Sequence, residues 1–241
     1  MKASVVVPAF NEERLLAGSL AAMREAMRAF DDAGWTSELI VCDNNSSDRT
    51  AAIARDAGAT VVFEPVNQIA RARNAGAARA SGEWLVFVDA DSYPDRNLFI
   101  DLIQVVQEGR CVGGGATVAF EIDDLAVRAA LATWNALSRA ARWAAGSFLF
   151  CEAGAFRELG GFSEALYAAE EIDFSRRLKR LARRRGLELA ILHRHPLRTS
   201  ARKARLYTKR EHFGFMLKTL LLGGRTLRSR EACRVWYDGR R

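Results

Sequence analysis

Four short, mostly apolar runs, at Ala3–Pro8, Glu38–Asp43, Thr60–Phe63 and Trp84–Asp89, alternate with stretches of helical period at Glu12–Asp31, Asp48–Asp56 and Gln68–Ala80. Strands separated by helices of this length specify βαβ units and a parallel sheet. Such crossovers are right-handed, which places helices on both faces of the sheet. Ser47-Asp48 is suited to cap the second helix, and Ser92-Tyr93-Pro94-Asp95 closes a loop and opens a helix near Asn97–Gln107. Beyond Gly109 the pattern loosens. Cys111–Phe120 reads as a strand containing a glycine triplet, Leu125–Ala145 as an alanine-rich helix and Ser147–Cys151 as a short strand. Gly160-Gly161-Phe162 then marks a tight turn, and Glu170-Glu171-Ile172-Asp173 an acidic helix start. The expected fold class is α/β: a Rossmann-like, mostly parallel sheet with helices on both faces, followed by a basic helical C-terminal tail.

Of the 241 residues, 49% are hydrophobic and 27% charged, enough apolar material for one sizeable core. No repeat, proline-rich linker or low-complexity tract divides the chain. The organisation expected is a domain over 1–200, with a ligand-binding half at 1–110 and a second half at 111–200, and a basic extension over 201–241. No apolar stretch approaches the ~18–20 residues that span a bilayer. The start of the chain lacks a charged-then-apolar signal region. Cys42, Cys111, Cys151 and Cys233 form neither a zinc pattern nor a disulfide framework. These features lead us to expect a cytoplasmic protein. Charge is placed unevenly: residues 176–241 hold 21 Lys and Arg against 4 Asp and Glu, and residues 1–175 hold 15 against 25. Such asymmetry points to a polyanionic partner or to solvated helical faces.

The chemistry is concentrated where strands end. Leu85-Val86-Phe87-Val88 stops on Asp89-Ala90-Asp91, and ligands of open α/β sheets bind outside the carboxyl ends of the strands. Two carboxylates there make a hard-oxygen site suited to Mg²⁺ or Mn²⁺ with phosphate oxygens as co-ligands. The first strand ends in Pro8-Ala9-Phe10-Asn11-Glu12, without Gly-x-Gly-x-x-Gly, which disfavours a dinucleotide cofactor. The second ends in Asp43-Asn44-Asn45-Ser46-Ser47-Asp48, polar groups able to bond a base or ribose. No Lys-Ser/Thr follows Gly113–Gly115, so the triplet reads as close backbone approach, not as a phosphate loop.

Pro8–Glu12, Asp43–Thr50, Arg71-Ala72-Arg73-Asn74-Ala75-Gly76, Ser81-Gly82-Glu83-Trp84, Asp89–Asp91 and Gly160-Gly161-Phe162 through Arg177-Leu178 together resemble, in order and spacing, the family 2 glycosyltransferases of the GT-A fold. The resemblance covers roughly the first three quarters of the chain. It implies a nucleoside-diphosphate sugar as donor, UDP favoured, and an inverting, metal-assisted transfer with Mg²⁺ or Mn²⁺. It puts Pro8, Phe10, Glu12, Asp43, Asn45, Arg71, Asp89 and Ala90 at the nucleotide, with Arg73 as the alternative to Arg71 at the diphosphate. Asp91 would hold the metal, with Asp89 on the ribose or beside the metal. In the family the base is the second residue of a Glu-Asp pair at a helix start. Here the pair is Glu170-Glu171, so the role falls on Glu171, whose extra methylene leaves Glu170 open as the alternative. Some relatives carry a further metal-binding histidine after the next strand; His195, before Pro196, takes that place, with a satisfied edge histidine as the alternative, and His193 lies nearby. Asn74 is expected to fix a loop, and Thr199-Ser200-Ala201-Arg202-Lys203 to reach diphosphate or acceptor. Trp134, Trp143 and Phe148 would shape an acceptor pocket or the core.

The acceptor is open: a glycan, a lipid-linked sugar or a small molecule. His212–Leu222 mixes apolar and basic residues, as a helix on an anionic membrane face or one packed on the sheet does. Peripheral attachment to the inner membrane face is thus a second expectation. No nucleic-acid motif is present. The rival readings are a sugar nucleotidyltransferase of the same fold, which wants a basic glycine-rich loop after the first strand, and a non-catalytic sugar-nucleotide-binding module.

Overall fold

The computed structural model describes residues 1–119, 125–144, 146–200, 225–233 and 237. Strand β1 (Lys2–Ala9) shows why the apolar runs lack polar alternation. Val5 and Val7 enter one core, while Val6 enters another on the opposite face. A strand buried on both faces must be apolar throughout. Helix α1 (Leu16–Asp32) then leads to β2 (Thr36–Asp43), α2 (Thr50–Asp56), β3 (Thr60–Phe63), α3 (Ile69–Arg79) and β4 (Trp84–Val88). β4 repeats the β1 pattern, with Val86 and Val88 on one side and Leu85 and Phe87 on the other. The chain continues through β5 (Ser92–Tyr93), α4 (Arg96–Gln107), β6 (Cys111–Ala119), α5 (Leu125–Ala141), β7 (Phe148–Glu152), α6 (Ala153–Glu158), α7 (Glu170–Arg184) and β8 (Glu188–Thr199).

These strands form one sheet in the order β3-β2-β1-β4-β7-β6-β8-β5. The expected parallel half, β3-β2-β1-β4, is present, and β6 and β8 are also parallel. β7 runs antiparallel between β4 and β6, and β5 antiparallel to β8. Helices α1 and α4 cover one face through Leu16, Leu20, Phe30, Phe99 and Leu102. The other face is covered by α6 and α7 through Phe156, Phe174, Leu178 and Leu181, with the Phe162 ring tilted 4.8 Å from Phe174 and edge-on 5.0 Å from Phe87.

Three details depart from the sequence expectations. Helix α5 ends at Ala141, not Ala145, because Arg142 turns the chain at φ 49°. β8 runs on to Thr199, so that His193 and His195 lie within the strand and not after it. Ala116 pairs with Leu192 and Val118 with Leu197, so the ladder loops out His193–Pro196, where proline lacks a donor, and then resumes. Of the expected tail helix, His212–Leu222 lies outside the described residues. The part that is described, 225–233 with Tyr237, begins as a 3-10 turn at Arg225–Arg228. It buries Cys233 and Tyr237 against Ala168. The glycine triplet allows the close approach expected of it: a Cβ on Gly114 would stand 1.8 Å from the Ala190 carbonyl oxygen of β8. All four cysteines are buried free thiols, and no described helix is long and apolar enough to cross a membrane.

Candidate active site

The carboxyl ends of β1, β2 and β4 open into a cleft of about 370 Å³. Its walls include Pro8 at the end of β1, Phe10 and Glu12 just beyond it, Asn44 after β2, and Asp89, Ala90 and Asp91 after β4. The opposite wall is the loop Tyr167–Ala169 and the first turn of α7, Glu170–Ile172. The two polar loops are laced together. Asn11 N donates to Ser46 Oγ at 2.9 Å, and Ser47 N donates to Asn11 Oδ1 at 2.8 Å. Glu12 N donates to Thr50 Oγ1 at 2.7 Å. Asn11 and Asn45 hold positive φ, 52° and 65°, a conformation asparagine tolerates better than most residues. Asp43 is buried at the end of β2 and accepts from Ser46 N at 3.1 Å.

A single guanidinium joins the two walls. Arg73 of α3, 5% exposed, donates from Nη2 to Asp89 at 2.9 Å and from Nη1 to Glu170 at 2.7 Å, with Glu171 3.9 Å away. Burial alone would lower its pKa, but Asp89, Glu170 and Glu171 override that and fix its charge. The Arg73 Nε is the one buried side-chain polar atom without a hydrogen-bond partner among the described residues. Arg71, its neighbour, instead points away to Glu164 at 2.9 Å and does not line the cleft. The sequence pattern allowed either arginine; the geometry selects Arg73.

Glu170 and Glu171 are not equivalent. The Glu170 carboxyl is 4% exposed, whereas that of Glu171 is 21% exposed. Burial, and then the charge on Glu171, push Glu170 up to about 8 against the pull of Arg73. Glu170 is therefore protonated through the neutral range, and Glu171 is the accessible carboxylate of the pair. Because the folded state holds a proton that the unfolded chain releases, this group's contribution is complete below pH ~4.5 and is lost as pH rises toward 8. Glu170→Gln should leave stability nearly unchanged at pH 5 and raise it at pH 8.5. Denaturant melts of both proteins at the two pH values check this.

Asp91, 8% exposed, accepts from the Ser200 hydroxyl at 2.5 Å, and its carbonyl accepts from Ser200 N at 3.0 Å. Thus β8 delivers Ser200, not His195, to the strand-end aspartate. His195 stands apart from the other expected metal-site residues: its Nδ1 lies 3.1 Å from Asp101 of α4, and it does not line the cleft. The bulge at His193–Pro196 is what directs it there. Asn45 is exposed, and neither it nor Asp43 lines the cleft, where Asn44 takes the place. Asn74 acts on a loop: its side chain accepts from Phe162 N at 2.9 Å and donates to Phe162 O at 3.0 Å. Gly161, at φ +70°, must be glycine there, since a Cβ would meet Asn74 Oδ1 at 2.6 Å.

Several cleft residues carried no sequence signal. Ala169 precedes α7 in the left-handed region at φ 61°, a conformation that costs a non-glycine residue on the order of 1 kcal/mol. Leu227 reaches the cleft from the C-terminal segment, its carbonyl accepting from Tyr167 N at 2.7 Å. Tyr237 stacks edge-on against Tyr167, with ring centroids 5.6 Å apart.

Residues 4–155 match the family model described as glycosyl transferase family 2. The chain belongs to that family. An uncharacterized glycosyltransferase of Mycobacterium bovis is 35% identical over 106 residues, which is 44% of this chain and 44% of that protein. The chain thus matches less than half the length of such curated relatives. Among solved structures, a mannosyltransferase from Pyrobaculum calidifontis in complex with GDP-Man and Mn²⁺ superposes with a TM-score of 0.67 at 20% identity, covering 96% of this chain and 64% of that one. S. aureus TarS 1–349 in complex with UDP-GlcNAc gives 0.66 at 18%, covering 99% and 71%. Glucosyl-3-phosphoglycerate synthase from Mycobacterium tuberculosis, in complex with Mn²⁺, UDP-glucose and phosphoglyceric acid, gives 0.63 at 20%, covering 96% and 79%. At these identities the likeness shows the fold alone, and that fold is GT-A.

Proposed function

We propose that the protein transfers a sugar, with inversion, from a nucleoside-diphosphate sugar to an acceptor hydroxyl, with UDP as the favoured nucleotide. One observation carries this reading: the Asp89-Ala90-Asp91 strand end and the Glu170-Glu171 helix start face one cleft and are joined through Arg73. The complexes of the structural neighbours, with UDP-GlcNAc, UDP-glucose or GDP-Man, support the donor class.

In this mechanism Glu171 accepts the proton of the acceptor hydroxyl as its oxygen attacks the anomeric carbon and the bond to the diphosphate breaks. The positive end of α7 stabilises the carboxylate before transfer. Glu170, protonated and held by Arg73, does not compete for that proton. Pro8, Phe10, Glu12 and Asn44 flank the nucleoside, with Asp43 behind them bracing the loop. Ala169 and Leu227 narrow the acceptor side and exclude water.

The donor set fits a hard divalent ion. Asp89 and Asp91 are carboxylates at the cleft floor, and among the described residues no group of three or more His, Cys, Asp or Glu side chains gathers as a closed cage. Two carboxylates, with phosphate and water completing the shell, suit Mg²⁺ or Mn²⁺ better than zinc. Asp91 would hold the ion, which when bound neutralises charge on the leaving diphosphate. The test is calorimetric titration of UDP with and without Mn²⁺. Mn²⁺ should tighten UDP binding at least ~10-fold, and Asp91→Asn should remove that increment while leaving the metal-free affinity in place. An increment that survives in Asp91→Asn contradicts the assignment.

A further inference from the structure

Away from the cleft, α7 carries an unusually unbalanced face. Arg176, Arg180, Arg183 and Arg184 recur at helical spacing along its exposed side. Arg184 has Glu158 at 3.9 Å, and Arg185 is held by Glu152 and Glu158. Arg176, Lys179, Arg180 and Arg183 have no carboxylate within 4.0 Å among the described residues. Burial and then the charges of Arg183 and Arg142 lower the Lys179 pKa, which marks a local excess of positive field.

The end of α5 completes this face. Lys179 Nζ donates to the Ala141 carbonyl, and the Arg176 guanidinium lies 5.2 Å from the centroid of the Trp143 ring. Trp143 is itself fixed by Ser138, whose hydroxyl donates to the Trp143 carbonyl at 2.7 Å. Beside Ser138, Leu137 is 48% exposed, and Trp134, one turn earlier, is half-buried. The patch therefore combines unpaired cations with an exposed leucine and amphipathic indoles. Gly146 and Ser147, which line the cleft, follow Trp143 by three and four residues.

We propose that the face built by α7 and the end of α5 docks the protein on an anionic phospholipid surface. Cations with no carboxylate beside them among the described residues keep their charge available to headgroup phosphates, and each adds to the attraction of a negative leaflet. Leucine and tryptophan side chains favour the boundary between headgroups and acyl chains. A single-stranded nucleic acid fits less well, because it needs open aromatic faces for stacking, and Arg176 already covers the face of Trp143.

The test is sedimentation of the full chain with vesicles of phosphatidylcholine alone or mixed equally with phosphatidylglycerol. The protein should partition onto the mixed vesicles at least ~10-fold better than onto the neutral ones, and lose that preference as salt rises. Arg180→Glu with Arg183→Glu, both exposed and without carboxylate partners, should cut the partition at least ~10-fold and leave the melting temperature and UDP binding in place. Leu137→Ser should weaken it further. Equal partition onto both vesicle types overturns the proposal. So does an undiminished partition of the double variant, which would place the contact elsewhere in the basic C-terminal part. Retention of a labelled RNA oligomer with no sedimentation on vesicles overturns it as well.

Discussion

Glu171→Gln lowers sugar transfer about 10³-fold while changing the affinity for the donor nucleotide less than about twofold, in the range expected when a general base is lost. The substitution keeps side-chain length and hydrogen-bonding capacity, so the cleft wall retains its shape. What disappears is the accessible carboxylate at the start of α7. Glu170→Gln is the contrast. Glu170 is already protonated at neutral pH and turned toward Arg73, so replacing it should cost transfer no more than about fivefold. Steady-state kinetics of both variants, with nucleotide affinity measured separately, distinguish the two carboxyls. A large loss in Glu170→Gln alone would move the base to that residue. Loss in neither would favour a module that binds sugar nucleotides without transferring them.

The second large effect falls on stability. Arg73→Met removes the cation shared by Asp89, Glu170 and Glu171 and leaves the Asp89 carboxylate without its partner beside the buried Glu170 carboxyl. Breaking a buried ion pair from one side typically costs about 3–5 kcal/mol, which for a chain of this size lowers the melting temperature by roughly 10 °C. Arg73→Lys should recover only part of this, because an ammonium cannot bridge Asp89 and Glu170 with separate nitrogens as the guanidinium does. Adding Glu170→Gln to Arg73→Met should change stability little further, since Glu170 without Arg73 stays protonated and neutral. Thermal melts of the four proteins at pH 8 measure this coupling.

The strand-end wall of the cleft was legible in the sequence because its signals are local. A buried strand such as Trp84–Val88 is apolar throughout, and Asp89 and Asp91 stand where it surfaces. Alternating strands and helices located the parallel half of the sheet within a few residues. The features that were not legible depend on contacts between distant segments. Arg71 and Arg73 occupy the same helix two residues apart, and only the positions of Glu164, Asp89 and Glu170 decide which of them enters the cleft. His195 stands just before Pro196, where the sequence reads as past the end of a strand. The ladder in fact resumes at Leu197, which brings Ser200 to Asp91 and leaves His195 beside Asp101. Ala169 gives no hint of its left-handed backbone, and Leu227 enters the cleft 56 residues after Glu171 with no motif to announce it. The wall of the cleft opposite the strand ends is therefore built from packing, and patterns of residue type do not reveal it.

The central claim is that this cleft binds a nucleoside-diphosphate sugar and activates it for transfer. Thermal melts of the purified protein with UDP, GDP and a panel of their sugars, each with and without Mn²⁺, test it most directly. The account predicts that one nucleotide, UDP in the first instance, raises the melting temperature in a Mn²⁺-dependent way, and that one of its sugars is consumed on prolonged incubation. No rise with any nucleoside diphosphate, in the presence or absence of metal, would contradict it.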